Sequence, residues 1–180
     1  MKAIVLVGLL AGSVLLSQSP PPVATVSKVD FQRYLGGWYE IARYPNRFQT
    51  KCLGDVRASY GKRTDGRIDV TNRCRTNDGV DEASGVARVV DTSSYSKLEV
   101  RFAPAFLSFL PMVWGDYWII GLASDYSWAV VGSPDREYLW ILSRTSQLPQ
   151  TSWDAALVAV RANQFDEKKL VKTPQAGKGP

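Results

Sequence analysis

Residues 35–43 read Leu-Gly-Gly-Trp-Tyr-Glu-Ile-Ala-Arg, a Gly-x-Trp-Tyr motif at the start of a strand-like run. Such a motif is common by itself. Here it is followed by Ser124-Asp125-Tyr126, between two strand-like runs, and by Ile141-Leu142-Ser143-Arg144 at the end of the last run. The three blocks span about 110 residues in a fixed order, and the ordered set is far more specific than any one of them.

After a short helical segment at 30–35, most of the chain alternates between apolar and polar residues, which predicts strands. We expect eight, at Trp38–Tyr44, Asp55–Gly61, Arg67–Cys74, Ala83–Val90, Lys97–Phe102, Asp116–Leu122, Trp128–Gly132 and Tyr138–Ser143. Their even spacing and hairpin connections predict an all-β fold, an eight-stranded up-and-down antiparallel β-barrel. An apolar stripe at helical spacing from Trp153 onward predicts one C-terminal α-helix packed outside it.

The three blocks resemble the motifs of the lipocalin family. Three further segments, Gly115–Trp118, Ala129–Gly132 and Tyr138–Thr145, are similar to one branch of that family, which contains the bacterial lipocalins, the plant temperature-induced lipocalins and apolipoprotein D. The resemblance extends from Val29 to Leu170. It implies a lipocalin-like barrel, and an eight-stranded barrel has an interior wide enough for one small ligand.

The resemblance also implies structural roles for five motif residues. Trp38, two positions after Gly36, plugs the narrow, closed end of the barrel. The Arg144 guanidinium lies across the indole ring, a favourable stacking contact. Asp125 and Tyr126 form a turn at the same end. None of the five is predicted to be catalytic.

Side chains of a strand point alternately to the two faces of a sheet, so counting by twos from Trp38 and from Arg144 selects residues that face the interior. Small residues on the fourth strand leave volume there unfilled. The candidate ligand-binding residues are Tyr44, Asn72, Ala87, Val100, Phe102, Tyr117, Tyr138 and Trp140. Packing in the hydrophobic core is the alternative explanation for each of these residues. Glu40 and Ala42 face inward in the same count, and the Glu40 carboxylate either meets a tyrosine, Asn72 or a ligand head group, or lies near the solvated mouth.

Residues 102–114 read Phe-Ala-Pro-Ala-Phe-Leu-Ser-Phe-Leu-Pro-Met-Val-Trp and carry no charge. The segment joins the fifth and sixth strands at the open end of the barrel, and its two prolines interrupt regular structure. A loop this apolar is not expected to face water without a reason. It is either a lip that contacts a membrane or a lid packed on the cavity rim. The candidate membrane-contact residues are Phe106, Phe109, Leu110, Met112 and Trp114.

The chain ends are expected to lie outside the domain. Residues 1–19 have the charged start and short apolar run of a secretory signal peptide, with a retained signal anchor as the alternative. No cysteine ends that run, so we expect an exported protein, periplasmic, outer-membrane-associated or extracellular, that is not a Cys-anchored lipoprotein. Residues 20–28 are interpreted as a linker, 29–172 as the domain and 173–180 as a disordered tail.

Two cysteines in an exported chain favour one disulfide, between Cys52 and Cys74. They flank the hairpin around Asp65-Gly66. The predicted strand register does not place them directly opposite each other. The bridge therefore requires a bulge or an adjustment of the loop.

The chain contains no histidine, which removes Ser-His-Asp and Cys-His catalysis and the commonest metal ligand. We expect no catalytic residue, metal or cofactor. The formal charge of +5 comes from scattered basic residues, so no nucleic-acid partner is predicted.

The sequence favours binding and transport or buffering of a small hydrophobic ligand at or near a membrane, with peripheral membrane contact through the apolar loop. The resemblance implies a fatty acid or a lysophospholipid. One alternative is an interaction module that uses residues 102–114 while the barrel is filled. A lipocalin-fold enzyme is a weaker alternative, and the oligomeric state stays open.

Overall fold

A computed structural model describes residues 20–176. Its strands are β1 (Gly36–Arg43), β2 (Gly54–Lys62), β3 (Ile68–Thr76), β4 (Gly79–Val89), β5 (Lys97–Arg101), β6 (Gly115–Leu122), β7 (Trp128–Gly132), β8 (Leu139–Ser143) and β9 (Val171–Lys172). Its α-helices are α1 (Phe31–Tyr34) and α2 (Gln150–Ala162). Strands β1 to β8 pair antiparallel in chain order, and β8 also pairs with β1, which closes the sheet. The predicted barrel and C-terminal helix are confirmed, with β9 as an additional strand.

The register of the strands identifies the interior of the barrel. Trp38 on β1 lies opposite Ala58 on β2, Ala58 lies opposite Asn72 on β3, and Asn72 lies opposite Ala83 on β4. A buried apolar cluster occupies this interior and includes Tyr34, Trp38, Tyr60, Ile68, Val70, Ala87, Leu98, Ile119, Ala129, Val131 and Leu142. The alternation of side chains along each strand therefore accounts for the core.

A second apolar cluster lies outside the barrel, under α2. Ala156 and Val160 of the helix pack with Val130 of the barrel wall. Gly121 on β6 allows the helix to approach closely, because a Cβ at this position would lie 2.7 Å from the Cβ of Ala159. The apolar stripe of the helix thus covers part of the outer wall, as the sequence predicts.

A β-bulge in β1 changes which residues face the interior. After Glu40 the register with β8 shifts, and Arg43 then lies opposite Trp140. The prediction that Ala42 and Tyr44 face inward is therefore wrong, because it assumed unbroken alternation along the strand. Arg43 takes the interior position instead.

Tyr44 lies outside the barrel and is not a ligand-binding candidate. Its hydroxyl donates to the carbonyl oxygen of Asp166 at 2.8 Å. Its ring centroid lies 6.1 Å from that of Phe165, which follows α2. Tyr44 therefore holds the end of the helical region against the barrel wall.

Residues 171–176, which we call the C-terminal strap, lie where β1 and β2 separate. β1 pairs with β2 only along its first half, and β9 pairs with its second half. The N–H of Thr173 donates to the carbonyl oxygen of Ile41 at 2.9 Å, and the N–H of Asp55 donates to that of Pro174 at 2.8 Å. The strap therefore pairs backbone groups of both strands that would otherwise lack partners in the sheet.

The prediction of a disordered tail is wrong for residues 173–176, while 177–180 lie outside the described residues. The prediction relied on composition and did not foresee the gap between β1 and β2. Gly54 makes room for the strap, because a Cβ at this position would lie 2.6 Å from the carbonyl oxygen of Pro174.

Residues 20–28, interpreted as a linker, pack along the barrel. Val23 lies in the outer apolar cluster. The N–H of Val26 donates to the carbonyl oxygen of Ile119 at 2.9 Å. The predicted signal peptide, residues 1–19, lies outside the described residues. Between residues 20 and 176, no helix has the length and apolar character needed to cross a membrane.

The predicted disulfide is confirmed. Cys52, which precedes β2, is bonded to Cys74 on β3, and their Cα atoms are 5.5 Å apart. A register shift in β2 between Gly54 and Arg57 provides the bulge that the predicted pairing required. The bridge ties the connection after β1 to the wall of the barrel.

Replacing both Cys52 and Cys74 by serine should lower the free energy of unfolding by about 3 kcal/mol, because the open loop gains entropy in the unfolded chain. Equilibrium urea unfolding, followed by tryptophan fluorescence, measures the difference. A reductant should lower the midpoint of the wild type and leave that of the double variant unchanged. Equal stability of the wild type and the double variant in the absence of reductant would show that the bridge contributes nothing.

Candidate ligand-binding site in the barrel

Trp38 and Arg144 seal one end of the barrel. The indole is 1% exposed, and its Nε1 donates to the carbonyl oxygen of Tyr34 at 2.9 Å. The Arg144 guanidinium lies 3.8 Å from the centroid of the indole. It donates to the carbonyl oxygens of Gly37 and Arg33 at 2.8 and 2.6 Å. The guanidinium therefore satisfies backbone acceptors while it stacks on the plug.

The turn between β6 and β7 completes the closed end. Tyr126 has a φ of 65°, and its hydroxyl accepts the N–H of Asp30 at 2.8 Å. The Arg33 guanidinium lies 4.1 Å from the centroid of the Tyr126 ring. Asp125 accepts the N–H of Ser127 at 3.0 Å within the turn. Gly36 begins β1 at this end, and its φ of 91° suits glycine.

Three tyrosine hydroxyls meet inside the barrel near the plug. The Tyr117 hydroxyl lies 2.8 Å from that of Tyr34 and 2.8 Å from that of Tyr60. Burial raises the pKa of Tyr60 to about 12 and holds the pKa values of Tyr34 and Tyr117 well above the usual 10.0. All three hydroxyls in this tyrosine cluster are therefore neutral at ordinary pH.

Interior-facing residues towards the open end are less buried than those near the plug. Ala83 faces this interior by register and is exposed, and Asn72 opposite it is half-buried. Tyr138 and Trp140 stack with their ring centroids 5.9 Å apart and their planes within 8°. The candidates that face the interior of the open half are Asn72, Val100, Tyr138 and Trp140, while Tyr117 reaches further in, where its hydroxyl joins the tyrosine cluster near the plug.

Two other candidate ligand-binding residues lie differently. Ala87 faces inward but is 1% exposed, so it belongs to the packed core and not to the accessible space. Phe102 is 45% exposed. Its ring covers Gly85, where a Cβ would lie 2.7 Å from the Phe102 Cδ1. Because Gly85 faces inward by register, the Phe102 ring lies on the interior side of the middle of β4.

A buried polar cluster lies on the inner side of β1 towards the open end. The Glu40 carboxylate accepts from the Arg43 guanidinium at 2.8 Å, the Thr173 hydroxyl at 2.5 Å and the Gln49 amide at 2.6 Å. The Gln49 side-chain oxygen in turn accepts the Trp140 Nε1–H at 3.1 Å. Glu40 therefore has polar partners, but they are neither a tyrosine nor Asn72, the protein partners that the sequence suggested.

Sequence reasoning missed Arg43, Gln49 and Thr173. Arg43 enters the interior through the bulge, and Thr173 arrives from a segment expected to be disordered. Asn46, which accepts the N–H groups of Phe48 and Gln49 at 3.1 Å each, positions the short helix that carries Gln49. An Asn before a helical turn can be recognised in the sequence as a helix N-cap, but it does not predict which way the Gln49 side chain points.

The apolar loop 102–114 exposes several of its large side chains. It forms two short 3₁₀ helices, Ala105–Leu107 and Pro111–Val113. Phe106, Phe109 and Met112 are 74%, 76% and 85% exposed. The exposure of these three side chains favours a lip over a lid.

Two of the candidate membrane-contact residues are more enclosed. Leu110 is half-buried. Trp114 lies on the outer wall, where the guanidinium groups of Arg88 and Arg101 lie 4.1 and 5.3 Å from its ring centroid. Its Nε1 donates to the carbonyl oxygen of Ser108 at 2.9 Å. Trp114 therefore fastens the base of the loop and is less exposed than Phe106, Phe109 and Met112.

Comparison with known proteins agrees with this geometry. A family model described as a lipocalin-like domain matches residues 29–175. Temperature-induced lipocalin-1 of Arabidopsis thaliana is 41% identical over 157 residues, 86% of this chain and 84% of that protein. Outer membrane lipoprotein Blc of Escherichia coli is 35% identical over 162 residues, 89% of this chain and 88% of that protein.

A third relative comes from an animal. Apolipoprotein D of Macaca fascicularis is 33% identical over 165 residues, 86% of this chain and 80% of that protein. The matches cover the plant, bacterial and animal groups that the sequence motifs indicated. Together with the plugged eight-stranded barrel, they show that the chain belongs to the lipocalin family.

Proposed function

We propose that this lipocalin binds a fatty acid or a lysophospholipid in the open half of its barrel and transports or buffers it at or near a membrane. One observation carries the proposal: the barrel is sealed at the Trp38 end, whereas interior-facing residues towards the other end, such as Ala83, are exposed. Membership of the lipocalin family supports a small hydrophobic ligand. Burial of an acyl chain among half-buried residues such as Val100, Tyr117 and Trp140 would contribute about 25 cal/mol per Å² of apolar surface.

The apolar lip supports exchange at a membrane. Phe106, Phe109 and Met112 lie on the loop between β5 and β6, at the open end of the barrel, and all three are largely exposed. Exposed apolar side chains in such a group mark interaction surfaces, and insertion into the lipid interface would bury them. A ligand could then pass between bilayer and barrel without crossing water.

We also propose that the protein is exported and that residues 1–19 act as its signal peptide. The confirmed disulfide fits an extracytoplasmic compartment. The Escherichia coli relative is called an outer membrane lipoprotein. In the present chain no cysteine ends the apolar run, so attachment through a lipidated cysteine is not part of the proposal.

Replacing Phe109 and Met112 by aspartate should abolish association with phosphatidylcholine–phosphatidylglycerol liposomes, because charges oppose insertion of the lip. Affinity for a soluble fluorescent fatty acid should stay within about twofold of the wild type. Liposome flotation and fluorescence titration measure the two properties.

Val158→Asp provides the control, because Val158 is 59% exposed on α2, away from the barrel mouth. This variant should keep both properties. If the lip variant lost fatty-acid binding and kept liposome binding, residues 102–114 would be a lid, and membrane contact through them would be refuted. A wild type that bound liposomes and no fatty acid would favour the interaction module.

A further inference from the structure

We propose that the tyrosine cluster of Tyr34, Tyr60 and Tyr117 binds a neutral oxygen atom at the buried end of the ligand. The preferred ligand would then be an acyl chain oxygenated far from its head group, with a ketone, ester or hydroxyl oxygen that reaches the cluster. This inference rests on the proposed function and names the class of lipid more closely.

The first argument is a count of protons. Each tyrosine hydroxyl can donate one hydrogen bond, so the three can donate three. Among the described residues they make two bonds, Tyr34 to Tyr117 and Tyr60 to Tyr117. Whichever way these two bonds are directed, one proton remains without an acceptor. Because a buried donor without a partner is unfavourable, the cluster favours an incoming acceptor.

The second argument concerns access. Tyr34 and Tyr60 are 1% and 8% exposed, and both are held in the core. Tyr117 is only half-buried and lies between them. When the outer two hydroxyls donate to Tyr117, its own proton is free, on the least buried residue of the cluster.

The third argument concerns the chemistry of the partner. Burial holds all three tyrosines neutral, so they act as donors throughout the physiological pH range. Apolar side chains such as Val70, Leu98 and Ile119 share the cluster's surroundings. An ionised carboxylate would lose its hydration there, whereas a neutral carbonyl or hydroxyl oxygen would lose much less. The cluster therefore suits a neutral acceptor.

Two single variants separate this role from a general effect on packing. Tyr117→Phe removes the donor on the least buried residue of the cluster and leaves the Tyr34 and Tyr60 hydroxyls, which are held in the core. Tyr39→Phe removes a hydroxyl from the outer face of β1, where the Arg57 guanidinium lies 4.1 Å from the Tyr39 ring centroid, and leaves all three hydroxyls of the tyrosine cluster in place. Both substitutions keep the ring and remove one oxygen, which makes Tyr39→Phe the matched control.

The test uses palmitic acid and a palmitic acid with a ketone next to its methyl end, each displacing a fluorescent fatty acid. We expect the preference for the keto acid, expressed as the ratio of dissociation constants, to be about three- to tenfold smaller in Tyr117→Phe than in the wild type. Tyr39→Phe should keep the wild-type ratio. Binding of palmitic acid itself shows that each variant is folded.

The infrared stretch of an isotope-labelled ketone gives an independent measurement. It should lie at lower frequency in complexes with the wild type and Tyr39→Phe than with Tyr117→Phe. The same ratio of dissociation constants and the same frequency in all three proteins would overturn the inference and leave the proposed function intact. If neither acid displaced the probe from the wild type, the proposed function would fail and the inference with it.

Discussion

Replacing Trp38 by alanine should lower the free energy of unfolding by about 3–5 kcal/mol, the cost of truncating a fully buried aromatic residue. The indole is 1% exposed and lies between the core and the Arg144 guanidinium, 3.8 Å from its ring centroid. Its loss leaves a cavity and removes the hydrogen bond to the carbonyl oxygen of Tyr34. Equilibrium denaturation in guanidinium chloride measures the change.

Trp118→Ala is the matched control for the plug. Trp118 is half-buried on the outer face of β6, beside the Lys97 ammonium group at 4.3 Å. This variant should lose clearly less stability than Trp38→Ala, because a partly exposed ring leaves no enclosed cavity. Equal losses in the two variants would contradict the assignment of Trp38 as the plug.

Glu40→Ala should also cost about 3–5 kcal/mol, because it breaks a buried ion pair and leaves the Arg43 guanidinium without its counter-charge. The Glu40 and Arg43 side chains are 4% and 15% exposed and 2.8 Å apart. The same carboxylate accepts the Thr173 hydroxyl of the C-terminal strap. Urea unfolding measures the loss, and limited proteolysis should show earlier cleavage within residues 171–176.

Glu82→Ala tests whether burial is the cause. Glu82 pairs with Arg73 on the barrel surface, where the two side chains are 42% and 63% exposed. Exposed pairs contribute about 0–1 kcal/mol, so this variant should remain close to the wild type. If Glu40→Ala were no more costly than Glu82→Ala, the cluster around Glu40 would not be the stabilising network described.

Features that repeat along the chain could be predicted from the sequence. The alternation of apolar and polar residues predicted the strands and most of the residues that face the interior, because a period of two follows directly from the geometry of a sheet. The contact of Arg144 with Trp38 was implied by motif resemblance and is present at 3.8 Å. The disulfide between Cys52 and Cys74 could be predicted from their positions around a hairpin and from the expectation that the protein is exported.

Features that break the repeat could not be predicted. Because of the bulge after Glu40, Arg43 faces the interior and Ala42 faces outward. The sequence Glu-Ile-Ala-Arg contains no residue that predicts this bulge. The C-terminal strap has the composition of a disordered tail, yet separation of β1 and β2 supplies hydrogen-bond partners for Thr173. The polar cluster around Glu40 depends on both irregularities, which is why only Glu40 and Trp140 among its members were anticipated.

Titration of the protein with a fluorescent fatty acid, with palmitic acid as competitor, tests the central claim that the open half of the barrel binds one lipid. We predict one saturable site per chain. Ala83→Phe, which adds a ring to an exposed position facing the interior, should weaken binding at least about tenfold, while Ala83→Ser should leave it unchanged. Absence of saturable binding, or equal affinity of Ala83→Phe and the wild type, would contradict the account.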